Sequence, residues 1–189
     1  LGIEGLRARL DERFQVLTGG TRATLRRHQT LRAALDWSYG LLSVRERVLF
    51  QRLAVFAGGF TLEAVEAVCV DDDQSPEQTA QTDRLVASDA LDVLSNLVDK
   101  SLVTIADRVT GEAVRYRLLE PIRQYALDRL QEANAEAAVR DRHLAYFIGF
   151  AERAEQHLKS DSQLVWLQRL EKEYDNLRAA LEWSTQDAR

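Results

Sequence analysis

The sequence predicts a mainly α protein: a winged-helix domain, built from helices plus a two-stranded β-hairpin wing, followed by an antiparallel helical pair. Two observations carry this. Apolar residues recur at helical spacing along most of the 189 residues, the mark of helices with one buried face. A single pair of strand-like stretches, Leu102–Ile105 and Val114–Leu118, follows the third of three consecutive helices, with Thr110-Gly111 making the turn between them. Helix, helix, helix, strand, turn, strand over residues 43–119 is the element order of a winged helix.

Leu6, Leu10 and Phe14 step by four, so residues 3–15 read as the end of an amphipathic helix that Thr18-Gly19-Gly20-Thr21 breaks. A basic connector, Arg22 to His28, leads to a helix traced by Leu31, Ala34, Leu35, Ser38 and Leu42, with Trp37 and Tyr39 on its flanks. Ser43-Val44-Arg45-Glu46 has the capping-box form and starts a helix whose buried face is Val48, Leu49, Leu53 and Phe56, stopped by Gly58-Gly59. Thr61 caps a short helix with Leu62, Val65, Val68 and Cys69 inward. Residues 70–87 are acidic and polar and read as a surface loop, after which Asp89 opens a helix carrying Leu91, Leu94, Leu97 and Val98. Glu120-Pro121 starts the next helix, with proline at its first position. The last pair is marked by Leu144, Phe147, Ala151, Ala154 and Leu158, then by Leu167, Leu170, Tyr174, Leu177 and Leu181, with a short link at 159–162.

Apolar residues make up 46% and charged residues 29%, a mix that supports a packed core. The lone Cys69 leaves no disulfide framework and fits a reducing cytoplasm. No apolar run reaches membrane-spanning length, so a cytoplasmic protein with no membrane contact is expected. Methionine is absent even at position 1, so the sequence reads as an internal piece of a longer chain.

The net charge of -5 hides a strong division. Residues 1–60 carry ten Arg against five acids, while residues 61–106 carry ten acids against Arg84 and Lys100. The helix before the wing, which in a DNA reader enters the major groove, falls in that acidic third. It offers Asp89, Asp92 and Asp99 against Lys100, and the preceding loop adds Asp71, Asp72 and Asp73. Carboxylates beside phosphates oppose the counterion release that drives duplex binding. Arg108, Arg115 and Arg117 on the wing soften the repulsion without reversing it. Direct nucleic-acid binding is therefore not expected, and Asp89, Asp92 and Asp99 read as a surface for a basic partner or neighbouring domain.

Several runs carry a resemblance. Arg27–Tyr39 (RHQTLRAALDWSY), Phe50–Thr61 (FQRLAVFAGGFT), Tyr116–Ala126 (YRLLEPIRQYA) and Trp166–Trp183 (WLQRLEKEYDNLRAALEW) resemble, in order, large bacterial regulators of the STAND class. These are NB-ARC-type signalling ATPases found in LuxR-type and cyclase-linked transcriptional regulators. The resemblance implies the end of a helical subdomain and a basic connector at 1–27, a winged-helix arm at 28–135, and the start of TPR-like helical repeats at 136–189. It implies ATP or ADP on an upstream nucleotide-binding core absent from this sequence. It also implies partners in that core and in downstream domains of the same parent chain, and protein partners through the repeats. The family's methionine-histidine-aspartate sensor motif falls on Leu118-Leu119-Glu120, and Leu119, in the histidine's place, cannot donate a hydrogen bond to phosphate. Glu120 either keeps the motif's acid or caps the helix at Pro121.

The chemistry of an enzyme is missing. No G-x-x-x-x-G-K-[ST] occurs, so no P-loop can form. His28, His143 and His157 lack metal-ligand spacing with Cys69 or one another, and His143 and His157 read as polar edges of a helix face. Cys69 lies on an apolar face, against a nucleophile. Arg22, Arg26, Arg27 and His28 form the one dense basic cluster, either an anion contact or a solvated connector. Trp37 and Tyr39 read as packing residues, as do Trp166 and Trp183. The expected function is a non-catalytic regulatory and inter-domain module of a signalling ATPase, coupling nucleotide state to output. The alternatives are a winged-helix DNA-binding transcriptional regulator and a protein-interaction scaffold centred on the helical pair.

Overall fold

The computed structural model describes residues 22–71, 84–107 and 113–186. The chain forms two compact units that divide between Leu42 and Ser43. In the first, α1 (Arg22–Gly40) is followed by a tight turn in which Leu41 and Leu42 N–H donate to the Ser38 and Tyr39 carbonyls. Leu35 and Leu42 are buried, whereas Trp37 is 70% exposed, against its expected packing role. The predicted helix at 3–15 lies outside the described residues.

The second unit begins with α2 (Val44–Arg52), and its capping box is formed as the sequence predicts. Glu46 N–H donates to Ser43 Oγ at 3.3 Å and Ser43 N–H to Glu46 Oε2 at 2.8 Å. A 3₁₀ turn at Leu53–Val55, buried throughout, carries the chain to Gly58-Gly59. There follow β1 (Phe60–Thr61), α3 (Leu62–Cys69), α4 (Ala87–Asp99), β2 (Thr104–Asp107), β3 (Arg115–Arg117) and α5 (Glu120–Glu132). Thr61 Oγ1 accepts from Ala64 N–H at 3.2 Å, the predicted cap of α3. Asp89 does not open α4; the helix starts two residues earlier.

The sheet has three antiparallel strands in the order β1-β3-β2, one more than the predicted hairpin. Phe60 and Thr61 pair with Tyr116 and Arg115, so β3 is central. A bulge between Ile105 and Asp107 kinks β2. Both α4 and α5 end through a left-handed residue, Ser101 (φ 58°) and Asn134 (φ 53°). Ser101 N–H bonds Val98 O and Leu102 N–H bonds Leu97 O; Asn134 and Ala135 repeat the pattern onto Gln131 and Leu130. These two Schellman closures turn the chain without glycine, at the strain cost of a non-glycine residue in that region.

Three further helices follow among the described residues: α6 (Glu136–His157), α7 (Gln163–Lys172) and α8 (Tyr174–Gln186). The predicted final helix is thus broken at Glu173. Trp166 on α7 meets His157 near the end of α6, while Trp183 on α8 bonds Asp141 near its start, so the return path is antiparallel as expected. The break changes which side chains are covered. Leu167, Tyr174 and Leu181 are exposed, and Asn176 and Ala180 are buried.

The core is centred on Leu49, Phe50, Leu53, Val65, Leu94 and Tyr125. A run of rings links it to α6: Tyr116 stacks on Phe60, Phe60 meets Phe56, Phe56 meets His143 edge-on, and His143 meets Phe147. His143 is therefore no polar edge; it is 3% exposed. Burial and the nearby Arg140 guanidinium depress its pKa to about 4, with Asn176 pulling weakly the other way. The folded state thus holds the ring neutral while the unfolded chain protonates it near pH 6.5, so this contribution is complete above 6.5 and is lost as pH falls toward 4. Between pH 7.5 and 5, above the carboxylate range, the loss amounts to about 2 kcal/mol. Urea unfolding across that range should show it in the parent protein and a flatter profile in His143→Phe.

Candidate interaction surface

The helix before the wing is α4, packed on α2 and α3 through Ala90, Val93, Leu94 and Leu97. Its flank toward α2 is tied by ions. Arg45 pairs with Asp89, and Lys100 Nζ donates to Glu46 Oε1 at 2.6 Å. Burial pushes the Glu46 carboxyl up, but the bonds from Lys100 and Ser43 outweigh it and hold it below its ordinary value. Lys100 therefore serves the capping box. The outward face of α4 presents Ser88, Leu91, Asp92, Ser95, Asn96 and Asp99, all exposed, with no cation among them.

Part of the acidic third is consumed internally. Asp71 pairs with Arg52 at 2.7 Å, and its carboxylate accepts from Leu85 N–H at 3.0 Å while its own N–H donates to Leu85 O at 2.9 Å. Burial raises the Asp71 pKa, but Arg52 and the Leu85 N–H leave it net lowered. Asp71 thus closes the base of the segment between α3 and α4 and does not add to a repulsive face. Asp72 and Asp73 lie outside the described residues.

On the wing, Arg117 is exposed but Arg115 is turned inward. The Arg115 guanidinium pairs with Glu173 and donates to Gly59 O at 2.9 Å and to Lys172 O at 3.3 Å. Arg115 is thus a structural tie between β3 and the α7–α8 junction, not a free wing charge. Arg108 lies outside the described residues. Beside this tie, Asn176 of α8 is fully buried and uses its whole amide. Its Oδ1 accepts from Ala57 N–H at 3.0 Å and Gly58 N–H at 3.3 Å. Its Nδ2 donates to Gly59 O at 2.9 Å and Glu173 Oε2 at 2.8 Å. A side chain added at Gly59 would meet Tyr116 O at 3.2 Å, so glycine is what lets the turn sit this close to β3 without a shift.

Residues 42–131 match the family model described as a winged helix-turn-helix domain. These residues form a winged helix-turn-helix domain. The chain is also similar to a Mycobacterium tuberculosis protein named "Putative HTH-type transcriptional regulator", 44% identical over 178 residues, and to its Mycobacterium bovis counterpart at the same identity. The match covers 94% of this chain but 18% of each regulator, so the chain spans less than a fifth of their length. An uncharacterized protein of Mycobacterium tuberculosis is 38% identical over 158 residues, 84% of this chain and 34% of that protein. No solved structure matches.

Within the winged helix, Leu119 is the N-cap of α5, 47% exposed and without a capping side chain. Glu120 is the first helical residue and not the cap, which puts Pro121 second. The Glu120 carboxylate takes both its bonds from Arg123, at 2.9 Å each, and Arg123 donates onward to Ala54 O at 3.2 Å. Glu120 thus orients an arginine that satisfies a buried turn, with a further benefit from its place at a helix N-terminus. Arg22, Arg26, Arg27 and His28 fall on the first turns of α1, and their side chains lie outside the described residues. Cys69 is fully buried, and burial pushes its thiol up to about 12.

Sequence reasoning missed Asn176 and Arg115, because an asparagine inside a helix and an arginine on a wing both look solvent-facing. The one available signal is Gly58-Gly59, whose exposed backbone groups demand a partner. Asn176→Ala strips that partner from two N–H groups and a carbonyl and should cost about 3 kcal/mol in urea unfolding. Asn176→Asp should cost at least as much, since its carboxylate cannot donate to Gly59 O and faces Glu173.

Proposed function

We propose that this chain is the winged-helix module of a bacterial transcriptional regulator, carried on a helical pair that fixes the wing. The observation that carries this is the winged helix-turn-helix match over 42–131, together with the regulator name of the 44% identical relatives. The module's contacts within such a regulator follow from α4. A winged helix that reads DNA brings this helix to base edges and phosphates. Here the helix presents Asp92 and Asp99 with no cation on the same face. That charge supports contact with a basic protein surface in place of the duplex.

Duplex reading is the second interpretation, favoured by the fold itself and by Ser95 and Asn96 on the outward face of α4, side chains able to bond base edges. Coupling to the nucleotide state of an ATPase core, with ATP or ADP bound elsewhere in a parent chain, rests on the resemblance of the runs at 27–39, 50–61, 116–126 and 166–183. The likeness of residues 136–189 to the start of TPR-like repeats supports further protein partners there. For the main reading, selection from a randomised duplex pool at physiological salt should enrich no sequence. An enriched duplex whose affinity falls about tenfold in Asn96→Ala, the loss of one base contact, would establish the DNA-reading interpretation instead.

A further inference from the structure

A cleft of about 410 Å³, with no residue of α4 in its lining, lies between β1, α3 and β3 on one side and α6 and α7 on the other. That volume is within the range of sites that hold a few side chains. Its floor is aromatic, from Tyr146 and Phe150 of α6 and Trp166 of α7. Burial, with Glu63 and Glu173 nearby, pushes the Tyr146 hydroxyl up to about 12, so the floor is uncharged.

The walls are charged. Four cations line the cleft, Arg115, Arg153, Arg169 and Lys172, against Glu63 and Glu173. The Arg115–Glu173 pair is self-contained, which leaves Arg153 and Arg169 beside Glu63. Among the described residues neither Arg153 nor Arg169 has a carboxylate partner. The Arg153 head lies near Gly149 of the same helix, whereas Arg169 is held in place. The Arg169 guanidinium sits 5.0 Å over the Trp166 ring, and that ring stacks on His157 at 4.9 Å and 5°. An arginine pre-positioned on an aromatic face loses less entropy when it binds a carboxylate.

We propose that this cleft binds an acidic peptide segment of a partner protein, its carboxylates on Arg153 and Arg169 and an apolar side chain between them on Phe150 and Val165. Charge complementarity selects this occupant. The cleft is net positive on a chain of net charge -5, so it is the place where an acidic segment is attracted and not repelled. An open cleft of this size with a mixed apolar and charged lining also suits an extended peptide better than an isolated ion. The site is separate from the acidic face of α4, so it stands whether or not that face contacts protein.

The test uses an array of immobilised octapeptides with Asp or Glu at alternate positions and Leu, Ile, Phe, Tyr or Trp between them, beside copies in which every acid is Lys. Binding of the full chain to the best acidic peptides is then measured by fluorescence anisotropy. The expected result is capture of acidic and not basic peptides, with affinity falling at least about tenfold in Arg153→Glu and in Arg169→Glu, the loss of one charge-assisted contact each. Both arginines are exposed, so circular dichroism should show both variants folded. Arg117→Glu, on an exposed wing position outside the cleft lining, should bind as the parent does. Absence of acidic-peptide binding, equal capture of the Lys copies, or unchanged affinity in both reversals overturns the proposal. So does complete displacement by millimolar glutamate or inorganic phosphate, which would reveal a simple anion site.

Discussion

The amide of Asn176 is the constraint on which the second unit depends. Gly59 packs closely on the backbone of β3, and the Gly58-Gly59 turn has no side chains of its own to satisfy its N–H and carbonyl groups. Asn176 supplies both kinds of partner from a separate helix, more than a hundred residues away in sequence. Asparagine suits this task because its two ends accept and donate, which neither aspartate nor leucine of similar size can do. The tie is buried, so it gains strength from the low local dielectric and would be costly half-made. Winged helix and helical pair are therefore one compact unit and not two modules on a linker.

Charge follows the same logic of internal use. The net charges of successive thirds look like a description of surfaces, but several of the charges are structural. Arg45, Arg52 and Arg115 each hold a carboxylate, and Lys100 completes a capping box. Once these are removed, the surface of α4 is left with Asp92 and Asp99, and the cleft beside α7 with Arg153 and Arg169. The sign of each remaining patch is that of its immediate neighbourhood, which regional sums blur.

Much of the fold was legible because local rules decide it. The capping box at Ser43 and the Thr61 cap each depend on residues within one helical turn of one another, and the three-helix order before a wing follows from the apolar period of each helix. What was not legible depends on distance. A two-residue β1 has no period to detect, and it exists because Phe60 and Thr61 find β3 more than fifty residues later. The helix break at Glu173 leaves no glycine or proline signal; it places Glu173 against Arg115 and swings Asn176 inward, so tertiary contacts override a continuous apolar repeat. His143 was misread for the same reason, since its covering rings, Phe56 and Phe147, come from two different elements. The left-handed closures at Ser101 and Asn134 carry weak signals beside the glycine such positions prefer. Of the candidate site, the acidity of α4 was readable, but the separation of Asp89 from Asp92 and Asp99 was not, because it rests on Arg45 of another helix.

The position of β3 explains why the helical pair bears on the winged helix at all. A wing is ordinarily a hairpin whose outer strand can shift at little cost. Here the strand bonded to α7 and α8 through Arg115 is the central one, paired on both sides. Displacing it would break pairing with β1 and β2 together, and would drag Phe60, whose ring stacks on Tyr116 and meets Phe56 in the core. A force on the α7–α8 junction is therefore resisted by the whole aromatic run, and a ligand in the cleft beside that junction would act on a rigid wall. A partner seated there would be selected by fit to a preformed surface, the role that a wing fixed on both flanks could serve.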